Sequence, residues 1–347
     1  MVLDWHSSLW LRLAGRFDKL PHALLLAGPQ GVGKSRFARA LAARLLCERP
    51  GPDGFACGQC AGCRWFQGGN HPDLRLLEPG GDEAAETADE AAEGAAAKKK
   101  SDQIVIEQVR GLEKFVNLGA HRHGYKVVLI RPAEAMNLAA ANSLLKMLEE
   151  PASGVLFILI SNNPMRLLPT IRSRCQVLSF AKPERAAAEQ WLQAAGVARP
   201  GPLLARTGGV PLAAKAMAQQ GLDDQWDAFL TDLAEAAATG SLAPAGRWEI
   251  RLKQDKGGAE LDKATLVGWL QKWVYDLISI KLTGLARYHP EQAERLAPIA
   301  ERASAANLVD CYNELLRVRA VARHPLNPRL FLEDLLARYL KGVAPGR

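Results

Sequence analysis

The chain has 347 residues, of which 48% are hydrophobic and 23% are charged. At roughly 150 residues per domain this length predicts two or three domains, and the composition excludes global disorder and fibrous repeats. There are 44 lysines and arginines against 37 aspartates and glutamates, and the resulting charge of +7 is compatible with a nucleic-acid partner but also with ordinary solvated faces.

No membrane-spanning or secretory segment is predicted. The longest continuous apolar stretch covers residues 155–160, which is far short of the roughly eighteen residues of a membrane helix. The N-terminal residues include Asp4 and His6 and show no basic region followed by an apolar one, as a secretory signal would. We therefore expect a cytoplasmic protein.

The first half of the chain predicts a parallel α/β sheet. Apolar runs typical of strands occur at residues 23–27, 74–77, 126–130, 155–160 and 176–180, and helical stretches occur at 34–47, 107–118 and 135–149. Strands joined by helical crossovers are typical of a doubly wound fold, so we predict one α/β domain over residues 1–180. Within it, residues 80–101 lack apolar side chains that could anchor them and are expected to form a disordered insertion.

After residue 180 only helices are predicted. The helical stretches cover residues 183–193, 211–219, 224–238, 261–285, 305–321 and 330–340. We divide them into a small helical domain, residues 181–222, and a larger all-α domain, residues 223–347. Trp269, Trp273 and Leu277 recur at helical spacing, which indicates a core or a subunit interface rather than a cofactor site.

A complete P-loop pattern, Gly28-Pro-Gln-Gly31-Val-Gly33-Lys34-Ser35, follows the first predicted strand and opens the first long helix. The glycines let backbone N–H groups face a phosphate, Lys34 would reach the β and γ oxygens, and Ser35 would hold Mg²⁺. The motif therefore predicts binding of ATP or another nucleotide. The alternative is a P-loop that is kept as an element of the fold without a ligand.

The strand end that should carry the hydrolytic acid has none. A P-loop ATPase needs a carboxylate at the end of another central strand, to hold the metal ion and polarise the attacking water. The candidate strand at 126–130 runs instead into Arg131 and Pro132. Glu134 lies beyond the strand end, and we do not expect it to replace the missing acid.

Four cysteines with two consecutive C-x-x-C steps predict a zinc module over residues 47–63: Cys47, Cys57, Cys60 and Cys63. Disulfides are the alternative, but the cytoplasm disfavours them, and a redox C-x-x-C motif does not call for four cysteines. Four protein ligands leave no open coordination position, so the predicted role is structural. Cys175 and Cys311 are expected to be small core residues.

Arg174 stands in a Ser-Arg-Cys sequence just before the last predicted strand. An arginine at a domain edge is compatible with a solvated charge, and also with a finger that enters the phosphate site of a neighbouring subunit. Sequence spacing alone favours the first interpretation.

Together these motifs resemble the clamp-loader subunits of bacterial DNA polymerase III, an AAA+ family. The resemblance runs in order from about residue 20 to residue 180 and includes His71-Pro-Asp-Leu and Asn142-Ser-Leu-Leu-Lys-Met-Leu-Glu-Glu-Pro. A strand end without acids is similar to the delta-prime subunit of that family rather than to the gamma/tau motor. The arginine that the family carries after Gly208-Gly209 is also absent, since Val210-Pro-Leu-Ala stands there.

The resemblance implies a subunit of a heteropentamer with gamma/tau and delta subunits, which opens the sliding clamp and places it on primed DNA during replication. It implies a stator without catalytic activity of its own, inside a polymerase holoenzyme that is a nucleotidyltransferase. It also implies that Arg174 acts as an arginine finger in trans on a neighbouring ATP site, that residues 181–222 form a lid, and that residues 223–347 form a collar.

Three other classes of protein compete with this interpretation. An active, gamma/tau-like ATPase would need the missing acid, and a P-loop nucleotide kinase would need an acceptor site and an arginine-rich lid. A zinc-based DNA-binding module would need basic and aromatic side chains around the cysteines, where the sequence offers Arg64, Trp65 and Phe66.

Overall fold

A computed structural model describes residues 2–80, 101–118, 121, 124–254, 261–322 and 324–345. The chain divides into two compact units, Met1–Lys182 and Pro183–Arg347. Most of the insertion predicted at 80–101 lies outside the described residues. Among the helices that are described, none combines the length and the apolar character of a membrane span.

The first unit is a parallel α/β sheet, as predicted. Its described strands are β1 (Ala23–Ala27), β2 (Leu74–Leu77), β3 (Lys126–Ile130), β4 (Val155–Ser161) and β5 (Gln176–Ser179). All pairs are parallel, in the order β2-β3-β4-β1-β5. The helices are α1 (Ser7–Ala14), α2 (Lys34–Leu45), α3 (Ala61–Gln67), α4 (Ile106–Asn117), α5 (Leu138–Glu149) and α6 (Pro169–Arg174).

Side chains of the inner strand β1 are buried on both faces of the sheet. Leu25 packs in a cluster with residues of α4 and α5, such as Leu112 and Leu144. Because side chains alternate along a strand, Leu24 and Leu26 lie on the opposite face, and both are fully buried. The neighbouring strands β3 and β4 are buried along their whole length as well, which is why the inner strands are mainly continuous apolar runs rather than alternating ones.

The strand order sets the position of the candidate nucleotide site. β1 pairs with β4 in a register that places Ala27 beside Ser161, and β3 pairs with the other edge of β4. The segments that follow β1, β3 and β4 therefore leave the same edge of the sheet side by side. In open α/β sheets, ligands bind at this carboxyl edge.

The second unit contains helices and no described strand. The helices are α7 (Arg185–Ala194), α8 (Pro200–Arg206), α9 (Pro211–Gln219), α10 (Leu222–Thr239), α11 (Pro244–Gln254), α12 (Lys263–Thr283), α13 (Ala293–Arg302), α14 (Ala305–Val321) and α15 (Pro328–Val343). Trp269, Trp273 and Leu277 are buried in its core, which confirms the core interpretation of that stripe. One buried cluster runs from Ala188 to Val343, and a division at residue 222 stays a prediction.

Arg206 is a completely buried cation in the second unit, near the end of α8. Its guanidinium contacts the carboxylates of Asp223 and Asp227 from α10, the latter at 2.6 Å, and that of Glu291 at 3.0 Å. Arg199 contacts the same two aspartates from a half-exposed position, at 3.7 and 3.2 Å. The buried arginine thus joins α8, α10 and the turn before α13.

We expect Arg206→Met to lower the free energy of unfolding by about 3–5 kcal/mol, because it leaves three converging carboxylates without their buried cation. Arg199→Met is the matched control: it removes an exposed partner of the same aspartates and should cost at most about 1 kcal/mol. Chemical denaturation of both variants measures the difference. Equal losses would show that Arg206 does not hold the cluster together.

Candidate nucleotide and metal sites

The P-loop connects β1 to α2 in a conformation that needs its glycines. Gly31 and Gly33 have φ angles of +83° and +109°, in the region that side chains other than glycine rarely adopt. A Cβ atom on Gly28 would lie 2.3 Å from the carbonyl oxygen of Phe180. Gly33 directly precedes α2, so the helix N-terminus follows the loop, and Ser35 lies half-buried in its first turn.

Lys34 is buried and its ammonium group is satisfied within the protein. Nζ donates hydrogen bonds to the carbonyl oxygens of Gly28 and Pro29, both at 2.7 Å, and to Oδ1 of Asn162 at 2.9 Å. Burial lowers the pKa of Lys34 to about 8, and the charge of Glu134 opposes this shift. An ammonium has three donors, so a phosphate can bind Lys34 only by replacing one of these oxygens.

Arg131 follows β3 directly, at the position where a metal-binding acid would be expected. Its Nε pairs with the carboxylate of Glu78, which follows the neighbouring strand β2. Pro132 contributes no carboxylate. The end of β3 therefore carries a cation that Glu78, after β2, neutralises. This agrees with the expectation from the sequence that this strand end carries no hydrolytic acid.

Glu134 is closer to the P-loop than the sequence suggested. A short turn over Ala133–Ala135 follows β3, and the Oε1 atom of Glu134 accepts a hydrogen bond from the backbone N–H of Asn162 at 2.9 Å. Its Oε2 atom is buried without a hydrogen-bond partner among the described residues. Asn162 thus joins Glu134 to Lys34. Asn162 was not among the residues predicted for the site, although its position directly after the apolar strand β4 indicates a place at the edge of the sheet.

The four clustered cysteines meet in space around one point. Their Sγ atoms all lie within 4.8 Å of one another, and the pairs Cys47–Cys60 and Cys57–Cys63 are 3.9 Å apart. A tetrahedral site with metal–sulfur distances of about 2.3 Å has sulfur–sulfur edges of about 3.8 Å. The donor set and its dimensions therefore fit a metal ion, and these distances are far too long for disulfides of about 2.05 Å.

Backbone N–H groups support thiolates in this cluster. The N–H groups of Cys57, Cys60 and Cys63 donate to the sulfurs of Cys47, Cys57 and Cys60 at 3.3 to 3.4 Å. Hydrogen bonds from the backbone of Gln59 and Cys60 lower the pKa of Cys57 to about 6. Burial raises the pKa of Cys63. A cation among the sulfurs would stabilise the charged form of each thiol.

The cysteine module is attached to the sheet through α3 and the segment before β2. The side chain of Cys60 accepts from the N–H of Cys63 and caps α3. A Cβ on Gly62 would lie 2.4 Å from the carbonyl oxygen of Leu46, so α3 packs closely against the chain that follows α2. His71 and Asp73 are buried nearby, and Nδ1 of His71 accepts from the N–H of Asp73 at 3.1 Å. The His-Pro-Asp-Leu sequence is therefore a structural connection.

Arg174 ends α6, directly before β5. Its Nη2 atom lies 2.6 Å from Oε1 of Glu149 at the end of α5, and its Nη1 atom donates to the carbonyl oxygen of Thr170 at 3.0 Å. One third of the Arg174 side chain is exposed. A guanidinium has five N–H donors, so this arrangement leaves donors for another group. The neighbouring Cys175 and the distant Cys311 are buried, as expected.

Comparisons with known proteins agree over most of the chain. A family model described as DNA polymerase III, delta subunit matches residues 10–184. The DNA polymerase III subunit delta′ of Pseudomonas aeruginosa is 35% identical, with 99% of each chain covered. That of Escherichia coli is 31% identical, with 94% of this chain and 90% of the relative covered.

Further matches are weaker. The DNA polymerase III subunit tau of Bacillus subtilis is 28% identical over 51% of this chain and 28% of its own length. A solved structure of a DNA polymerase III gamma subunit-related protein from Thermotoga maritima covers 96% of this chain and 99% of its own, at 18% identity and a TM-score of 0.45. On the family model and the full-length relatives, this chain belongs to the DNA polymerase III subunit delta′ family.

Proposed function

We propose that this chain is a non-hydrolysing subunit of a cytoplasmic DNA polymerase III clamp loader, which places the sliding clamp on primed DNA together with gamma/tau and delta subunits. The observation that carries the proposal is the end of β3, where Arg131 pairs with Glu78 in place of a metal-binding acid. Membership of the delta′ family supports the role in the loader. The polymerase activity belongs to the holoenzyme, and the chain contributes to its assembly.

The geometry supports nucleotide binding without turnover. The P-loop glycines, Lys34 and Ser35 are the residues that cradle phosphates in such loops, and ATP or another nucleotide would replace one of the oxygens that now surround Lys34. Hydrolysis additionally requires a carboxylate that positions metal and water. Glu134, whose charge acts on Lys34, is held by the N–H of Asn162 and would have to leave that contact to act.

We expect the purified chain to release ADP from ATP no faster than its Lys34→Ala variant does. The reason is the missing acid at the end of β3. A steady-state ATPase assay with Mg²⁺ measures it, and nucleotide binding without turnover is the expected companion result.

Turnover that disappears in Lys34→Ala would contradict this prediction and favour the alternative of an active, gamma/tau-like ATPase. In that case Glu134→Gln identifies the acid. Loss of turnover in this variant would assign the role to Glu134, whose Oε2 atom is buried without a partner among the described residues.

Arg174 is the residue that we propose for action in trans. Its side chain is one-third exposed, and Glu149 and Thr170 fix its direction while other N–H donors stay available. A guanidinium in this position can contact two phosphate oxygens of an adjacent subunit's nucleotide and stabilise the charge that develops during hydrolysis. The chain would then control a site that it does not itself contain.

We expect Arg174→Ala to leave assembly of a reconstituted loader intact and to slow hydrolysis at one neighbouring site by roughly a thousandfold or more. Single-turnover kinetics measure this loss, since the other sites keep total ATPase high. The Arg174→Lys variant should hydrolyse little faster than Arg174→Ala, because lysine lacks the planar guanidinium with its fork of N–H donors.

Arg166→Ala is the matched control for this experiment. Arg166 is exposed in the turn before α6 and carries the same charge, but no acidic side chain orients it among the described residues. Equal effects of the two variants would indicate a general loss of positive charge. If a complex that carries Arg174→Ala hydrolyses ATP and loads clamps at the unmutated rate, Arg174 has a structural role only.

For the cysteine cluster we propose a structural Zn²⁺ ion. Four thiolates at tetrahedral spacing are typical of closed zinc sites, and the four positions leave no place for a substrate. The ion would neutralise the sulfurs and fix α3 against the chain after α2. Such a site stabilises the fold, because its ligands are not arranged in the unfolded chain.

Elemental analysis of the purified chain should therefore find one zinc ion per molecule. Cys60→Ser is expected to remove most of the metal and to lower the free energy of unfolding by at least about 2 kcal/mol. Cys175→Ser also alters a buried cysteine but lies outside the cluster, so its metal content should stay unchanged. Protein prepared under reducing conditions that contains no zinc would exclude the site.

A further inference from the structure

A polar cleft of about 940 Å³ lies in the second unit, between α12, α14 and the segment that follows α12. We call it the α12–α14 cleft, and its main polar and aromatic side chains are Gln271, Lys272, Tyr275, Tyr288, Tyr312 and Arg319. None of them belongs to the P-loop, the cysteine cluster or the Arg174 site. The volume is that of a small-molecule or single-residue binding site.

The cleft is cationic. Lys272 and Arg319 both line it, and among its lining residues Asp262 is the one acid. Asp262 is engaged as the cap of α12, where its Oδ1 atom accepts from the N–H of Thr265 at 2.6 Å. Neither Lys272 nor Arg319 has a carboxylate within 4.0 Å among the described residues. The positive charge of the cleft is therefore not neutralised locally.

Lys272 is held by neutral groups. Its Nζ atom donates to the carbonyl oxygen of Arg206 at 2.8 Å and lies 5.1 Å from the ring centre of Trp226 and 5.7 Å from that of Tyr288. Burial, together with the nearby charge of Arg319, lowers the pKa of Lys272 to about 8. Two cations that repel each other in a partly dry cleft favour the arrival of an anion.

Gln271 supplies an independent sign of a ligand. Its side chain is only 5% exposed, and its Oε1 atom accepts a hydrogen bond from Nη1 of Arg319 at 2.9 Å. Its Nε2 atom is buried and has no hydrogen-bond partner among the described residues. Buried polar groups are almost always paired in native proteins, so this donor at the wall of the cleft calls for an acceptor.

Three tyrosines complete the wall. The ring of Tyr275 lies 5.4 Å from that of Tyr288 and 6.4 Å from that of Tyr312, and all three are half-buried. Aromatic rings beside cations are the combination that binds bases and phosphates of single strands. An acidic peptide would use the two cations but would offer no flat base to the tyrosine faces.

We propose that the α12–α14 cleft binds a nucleoside phosphate unit, with its phosphate between Lys272 and Arg319 and its base against the tyrosines. The unit belongs to a single nucleic-acid strand or to a free nucleotide. A movement of the Gln271 side chain that exposes Nε2 would let it donate to the polar edge of the base. This inference goes beyond the proposed function, since neither the P-loop nor Arg174 takes part.

The test uses the full chain and a fluorescently labelled pentanucleotide of deoxythymidine at low salt. Fluorescence anisotropy should show binding that Arg319→Gln weakens by about fivefold or more, with a salt slope that is smaller by roughly 0.7. Arg317→Gln is the matched control. Arg317 is exposed on the same helix, α14, but does not line the cleft, so its removal should change the affinity by less than about twofold.

Two further measurements locate the ligand and its source. Ultraviolet cross-linking of a bromodeoxyuridine pentanucleotide should give adducts on Tyr275, Tyr288 or Tyr312. Competition by deoxythymidine monophosphate, lost in Arg319→Gln, assigns the cleft to free nucleotides. Absence of such competition, with the oligonucleotide still bound, assigns it to a strand.

Four outcomes would overturn the proposal: no binding of either probe, equal losses in Arg317→Gln and Arg319→Gln, adducts confined to other parts of the chain, or equal competition by a hexaglutamate peptide. None of these depends on clamp loading, since the chain is tested alone. Failure here would leave the role of Arg174 untouched, and failure of the reconstituted loader would leave the cleft untouched.

Discussion

The buried ammonium of Lys34 is the interaction around which the carboxyl edge of the sheet is organised. It ties the P-loop carbonyls of Gly28 and Pro29 to Asn162 at the end of β4, so the loops after two neighbouring strands share one cation. The Asn162 backbone in turn holds Glu134, the acid after β3. This chain of contacts needs the order β3-β4-β1, which sets the three strand ends side by side.

This edge of the sheet carries the phosphate-binding loop of an ATPase without the hydrolytic acid that usually accompanies it. The phosphate-binding loop is complete, whereas the end of β3 carries Arg131, which forms an ion pair with Glu78. Glu134 approaches from beyond the strand, but the N–H of Asn162 occupies one of its oxygens. Binding and hydrolysis depend on different residues, so one can persist when the other is absent. That separation is compatible with a subunit that senses a neighbour through Arg174.

Local patterns predicted the sheet, the P-loop and the cysteine cluster, because each depends on residues adjacent in sequence. The short helices α1, α3 and α6 of the first unit were not predicted. In the second unit, α8, α11 and α13 were not predicted. Pro200 and Pro244 begin the first two, where proline is tolerated, and Pro298 lies inside the third. Contacts between distant segments, such as Asn162 with Lys34, have no local signal. The apolar strand before Asn162 indicated only that a polar residue follows it at the sheet edge.

The surroundings of three enclosed cations separate the one whose charge the fold neutralises from the two that we propose as phosphate-binding groups. Arg206 is surrounded by three carboxylates, so its charge is neutralised within the protein and it needs no bound anion. Lys34 contacts neutral oxygens and is influenced by Glu134 only at longer range, and Lys272 contacts a carbonyl oxygen beside the cation of Arg319. Neutral oxygens satisfy the hydrogen bonds of an ammonium but leave its charge uncompensated. A bound phosphate group would therefore give Lys34 and Lys272 the negative charge that three carboxylates of the protein already give to Arg206.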